Sequence, residues 1–148
     1  MELFRERLWP ALWWYPIVLL IVPATLLTFA AIDLIAGAVT AGVLVAGALT
    51  LLIGSAPTIR VADGVLQAGR ARIPVDLVGA ARSATGEEAR AERGVRLDAR
   101  AWLMLRGDVD PVVRLDVTDP DDPTPYWLIS TRRPDELIAA ITTARSSG

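Results

Sequence analysis

Apolar and polar positions divide the chain near residue 54. From Leu12 to Ile53 the only charged residue is Asp33, at the midpoint. As one helix that stretch would reach about 63 Å, twice the ~30 Å hydrocarbon core of a bilayer. A carboxylate is costly at the centre of a membrane helix and cheap at its ends. The pattern therefore predicts a membrane α-helical hairpin over 12–53, running out along Leu12–Ala31, turning near Asp33 and returning along Leu34–Ile53. Pro23 should kink the first helix, because it lacks the N–H of an intrahelical bond. Residues 1–11 read as a short charged cap and 54–57 as a linker.

After Pro57 the period changes to two. Thr58–Ala62 and Val65–Ala68 read as strands joined by a hairpin turn at Asp63-Gly64, and Ala71–Val78 as a third strand with Pro74 at an edge or bulge. Thr85–Gly94 is charged and reads as a loop or short exposed helix. Ala101–Arg106 and Val112–Thr118 are further strands, the latter with Val113, Leu115 and Val117 on one face. Asp119–Pro125 holds three prolines and three aspartates, a stiff turn whose carboxylates bond their own backbone. Tyr126–Thr131 returns as a strand, and Pro134 opens a helix with Asp135 and Glu136 in its first turn. Residues 58–148 are thus expected to form an α+β, mostly β, domain. Its antiparallel strands or split barrel, capped by a C-terminal helix, resemble in pattern the bacterial pleckstrin-homology (PH) type.

The flanks of the hairpin add an orientation. Arg5 and Arg7 precede the first span, Arg60, Arg70 and Arg72 follow the second, and the turn has neither Arg nor Lys. The positive-inside rule then places both termini in the cytoplasm. Arg5, Arg7, Trp9, Trp13, Trp14 and Tyr15 form the expected belt of interface anchors. Although Arg5 and Arg7 resemble the start of a signal peptide, the apolar run exceeds the 7–15 residues of such a segment and a second run follows. Membrane retention is therefore expected. Ala38, Gly42 and Ala46 make a small-residue stripe that lets a helix approach closely, first of all the partner helix of the same hairpin, alternatively a second copy in a homodimer.

Composition narrows the chemistry. The 148 residues contain no Cys and no His, and the net charge is −2. That removes disulfides, thiolate metal sites, the usual general base and the basic excess of a nucleic-acid binder. No cofactor or metal is expected, and no enzymatic role. The most suggestive constellation is Tyr126-Trp127 with Arg132-Arg133. An exposed Trp127 beside the arginines would grip an anionic headgroup or a peptide, whereas a Trp127 in the core would leave the arginines as a solvated strand end. Alternation places one of Tyr126 and Trp127 in the core, not both.

Four phrases carry a resemblance: Glu6-Arg7-Leu8 with Trp13-Trp14; Arg60–Leu66; Ala71-Arg72-Ile73-Pro74; and Asp119–Trp127 running into Ser130-Thr131-Arg132-Arg133-Pro134. Together they resemble domain-of-unknown-function family 3093, small two-span membrane proteins of high-GC bacteria. The resemblance implies a bacterial plasma-membrane location and this architecture, and it implies no activity. The expected function is a membrane-tethered cytoplasmic interaction or scaffold module, whose partners are the lipid bilayer and a protein or anionic lipid. The alternative is an accessory subunit of a transporter or envelope-synthesis complex, joined through the helices.

Overall fold

A computed structural model describes residues 1–147. The chain forms two units, Trp9–Ala56 and a second made of Met1–Leu8 with everything from Pro57 onward.

The first unit is helical: α1 (Trp14–Leu19), α2 (Ile21–Phe29) and α3 (Leu34–Gly54). Pro23 explains the break between α1 and α2. Its ring excludes the bond to the Leu19 carbonyl, and the helix is interrupted at Leu20, whose N–H is shared between the Pro16 and Ile17 carbonyls. Asp33 turns the chain and caps α3, its carboxylate accepting from the N–H groups of Ile35 (2.8 Å) and Ala36 (3.2 Å). Both α1 and α2 pack on α3. Contact is closest at Gly37, where a Cβ would stand 2.8 Å from that of Phe29. The unit is apolar on its outside: Leu27, Ile35, Val39, Val43 and Leu51 are all exposed. Its four threonines, Thr25, Thr28, Thr40 and Thr50, each donate to the carbonyl four residues earlier. Among the described residues only α3 is long and apolar enough to cross a membrane. At 1.5 Å per residue it reaches about 32 Å, and Trp14–Phe29 only about 24 Å.

In the second unit, Met1–Leu8 is not simply part of a charged cap. Glu2–Arg7 is a strand, β1, that pairs antiparallel with β2 (Thr58–Ala62). Its alternation (Phe4, Glu6 and Leu8 inward, Arg5 and Arg7 outward) was masked in the sequence by a charged residue at an inward position. β3 (Val65–Ala68) and β4 (Ala71–Pro74) complete a four-stranded sheet in the order β1-β2-β3-β4. The β2–β3 turn has positive φ at both Asp63 (52°) and Gly64 (73°), the geometry that matches strand twist in a two-residue hairpin. Pro74 ends β4, the edge strand, and a 3₁₀ turn (Val75–Leu77) carries the chain to the second sheet. What reads in sequence as one strand over Ala71–Val78 is therefore β4, a 3₁₀ turn and the first residue of a strand in the other sheet.

The second sheet is β5-β7-β8-β6, made of β5 (Val78–Ala84), β6 (Trp102–Met104), β7 (Val112–Val117) and β8 (Tyr126–Ser130). The all-antiparallel expectation fails at β6, which runs parallel to β8 with Trp102 opposite Trp127. The architecture is thus α+β with one antiparallel and one mixed sheet. α4 (Gly86–Arg93) buries Ala89, so the charged segment that reads as exposed packs over part of the fold instead. α5 (Pro134–Ser146) buries Leu137, Ala140, Ile141 and Ala144 in the main core with Ile59, Leu66, Val113, Leu115 and Ile129. A smaller core of Ala84, Ala89, Val112, Tyr126 and Leu128 lies on the other face of the second sheet.

Candidate functional site

Strand β8 is covered on both faces, and this decides the fate of the aromatic pair. All five of its residues are buried. Trp127 is 5% exposed in the main core with its ring 4.6 Å from that of Trp102, and Tyr126 is 2% exposed in the smaller one. The expectation that only one of the two is internal fails, because a strand between two cores has no solvent face. Neither ring is displayed for gripping a ligand. The Tyr126 hydroxyl accepts from the Asp98 N–H (2.8 Å) and donates to the Arg96 carbonyl, while the Arg114 guanidinium lies 3.7 Å from its ring centroid. Burial works against the charge of Arg114, but the hydrogen bonds it donates to Glu92 and Asp116 more than offset it and raise its pKa.

The residues that follow β8 build a polar lock with β1. Glu6 and Thr131 are both buried. The Glu6 carboxylate accepts from the Thr131 hydroxyl with one oxygen and from the Arg132 N–H (3.0 Å) with the other. The Thr131 oxygen accepts in turn from the Arg133 N–H (3.1 Å). Arg133 reaches back to the Arg5 carbonyl (2.7 Å) and Glu136 (3.0 Å) and lies over Phe4. Arg132 pairs with Asp108 (3.2 Å), which also faces Arg106 (3.4 Å). The Ser-Thr-Arg-Arg-Pro and Glu-Arg-Leu phrases thus meet in space. Glu6 was missed from sequence, where it is one more acid in a charged cap. Its place between Phe4 and Leu8, two residues from each, is the signal that marks it as inward-facing.

The Asp-rich turn is built as its composition predicts. Asp119 accepts from the Asp121 N–H and Asp122 from the Thr124 N–H (2.8 Å), and the Thr124 bonds hold the Asp122 carboxyl below its ordinary pKa.

The outer face of the first sheet brings together residues whose sequence positions are far apart. Arg5 stands opposite Arg60, Arg60 opposite Gln67, and Gln67 opposite Arg72. Arg7 and Arg70 are exposed one row along, at the end where Leu8 N–H bonds the Pro57 carbonyl and Gly69 N–H the Thr58 carbonyl. Glu2 and Asp63 sit at the opposite end, with Glu2 2.6 Å from Arg60 and Asp63 paired with the N-terminal amine. Arg5 and Arg7 therefore sit on a sheet, whereas the other expected anchors belong to the helical unit. There Trp9, Trp13 and Trp14 are exposed, and the last two stack at 4.5 Å.

The small-residue stripe also differs from expectation. Ala38, Gly42 and Ala46 are exposed, and a Cβ at Gly42 would meet nothing within 4 Å. The helix face that packs inside the hairpin is Gly37 and Ala41, one residue out of register with the stripe.

No curated protein and no solved structure matches this chain. One family model does match, over residues 3–141, and so takes in β1, the helical unit and both sheets; the chain belongs to the family described as protein of unknown function DUF3093.

Proposed function

We propose that this protein is a membrane-tethered interaction module, its helical unit inserted in the bacterial plasma membrane and its sheet unit cytoplasmic, holding a protein partner or anionic lipid at the bilayer surface. The observation that carries this reading is the pairing of β1 with β2. The chain enters and leaves residues 9–56 from neighbouring strands, Arg7 being opposite Thr58. Strands on opposite sides of a bilayer cannot pair, so the hairpin crosses an even number of times. If α3 crosses, the segment before it crosses too; its shorter helices are completed by the turns on either side. The outward apolar side chains and internally bonded threonines suit a hydrocarbon surround, where polar groups need partners within the helix. The arginines flanking the hairpin, with none at its turn, support cytoplasmic termini.

The topology is tested with single cysteines in the full chain. Ile32→Cys should react with an impermeant maleimide on intact cells, while Glu2→Cys and Thr142→Cys should react only after permeabilisation. Release of the wild-type chain by an alkaline carbonate wash would refute insertion.

The outward stripe favours a second reading, an accessory subunit docked through α3. Gly42→Leu should then release a partner, or a second copy, in a crosslinking pull-down without altering the hairpin.

A further inference from the structure

From the outer face of the first sheet we infer that Arg5, Arg7, Arg60, Arg70 and Arg72, with Gln67 between them, form a docking surface for the phosphate headgroups of anionic phospholipids. This rests on the tethering proposed above and names the ligand. Like charges directly opposite on a sheet destabilise it, yet Arg5 faces Arg60 across β1–β2 and Arg72 stands one strand beyond Gln67. Glu2 answers Arg60; among the described residues no carboxylate pairs with Arg5, Arg70 or Arg72. The arginines of the row are exposed, and their planar guanidinium forks match phosphate oxygens in pairs.

Its position selects the source of the phosphate. Leu8 and Pro57, where the chain passes to and from the helices, lie beside Arg7 and Arg70. At about 3.3 Å per residue, the Arg5–Arg60–Arg72 row is only some 10 Å further along the strands. The acids Glu2 and Asp63 occupy the far end. Cations near the chain's exit and anions away from it complement a negatively charged leaflet, whose attraction acts within about a Debye length.

The test uses the full chain in nanodiscs of phosphatidylcholine alone or with phosphatidylglycerol. Because the protein has no cysteine, Gln67→Cys carries one nitroxide on the arginine face and Glu87→Cys one on α4. The expected result is a several-fold drop in quencher accessibility at position 67 in anionic discs only, reversed near 1 M salt, where the Debye length is ~3 Å. Accessibility at position 87 should stay constant. Each arginine removed should lower the docked-to-undocked ratio about five-fold. The triple variant Arg5→Gln, Arg60→Gln, Arg72→Gln should lower it about a hundred-fold while keeping the wild-type circular dichroism. Equal accessibility in the two lipids would overturn the inference. So would shielding that survives both salt and the triple variant, or that needs an added protein instead of anionic lipid. Failure of the chain to incorporate into either disc would instead defeat the tethering, and this inference with it.

Discussion

Trp127 shows how burial converts a recognition candidate into a structural residue. With its ring in the main core against Trp102, Trp127→Ala should cost about 3–5 kcal/mol of stability, read as a lowered denaturation midpoint. Any loss of binding in that variant should track loss of fold. Glu6 is the opposite case, a residue that seems ordinary in sequence and is internal in the structure. Glu6→Ala deprives the Thr131 hydroxyl and Arg132 N–H of their acceptor and should destabilise by about 1–3 kcal/mol. The chemistry of both residues was legible, but their environment was not. A strand covered on both sides, and a carboxylate held by a segment over a hundred residues away, are products of tertiary packing. Half-buried Asp122 and Asp98 follow local rules. Hydrogen bonds from Thr124 and Arg100 hold their pKa values down. Their contribution is complete above the unfolded carboxylate value near 3.9 and should fade as pH falls through the lower folded values. Acid titration by NMR would show both below the usual range.

Elements announced themselves where local chemistry is decisive. The Asp63-Gly64 turn, the Pro134 helix start and the Asp33 turn all lie where sequence puts them, and the expected Pro23 kink shows as the break at Leu20, because each depends on one residue's backbone preferences or side-chain reach. Strand β1 and the parallel pairing of β6 were hidden, since pairing partners lie outside any local window. Within α3, the two small-residue faces make a sharp contrast. Gly37→Leu should disrupt the hairpin, since even a Cβ there meets Phe29. Gly42→Leu should leave its helicity and thermal unfolding unchanged, because that face is open. Circular dichroism of the two variants in detergent distinguishes these outcomes.

At the scale of the whole molecule, the division into a helical and a sheet unit was visible in the change of period near residue 54. Membership was not: the first eight residues belong with Pro57 and everything after it. That arrangement orders events during synthesis. Strand β1 emerges first and cannot pair until Thr58–Ala62 follows, after the whole apolar stretch has been made. Until then Phe4 and Leu8 lack their core and Glu6 its hydroxyl partner. In pulse-chase proteolysis, protection of the sheet unit should therefore appear only after Thr58–Ala62 has been made, and a chain stalled within residues 9–56 should be degraded. The N-terminal strand thus makes completion of the sheet unit wait on synthesis of the whole helical unit.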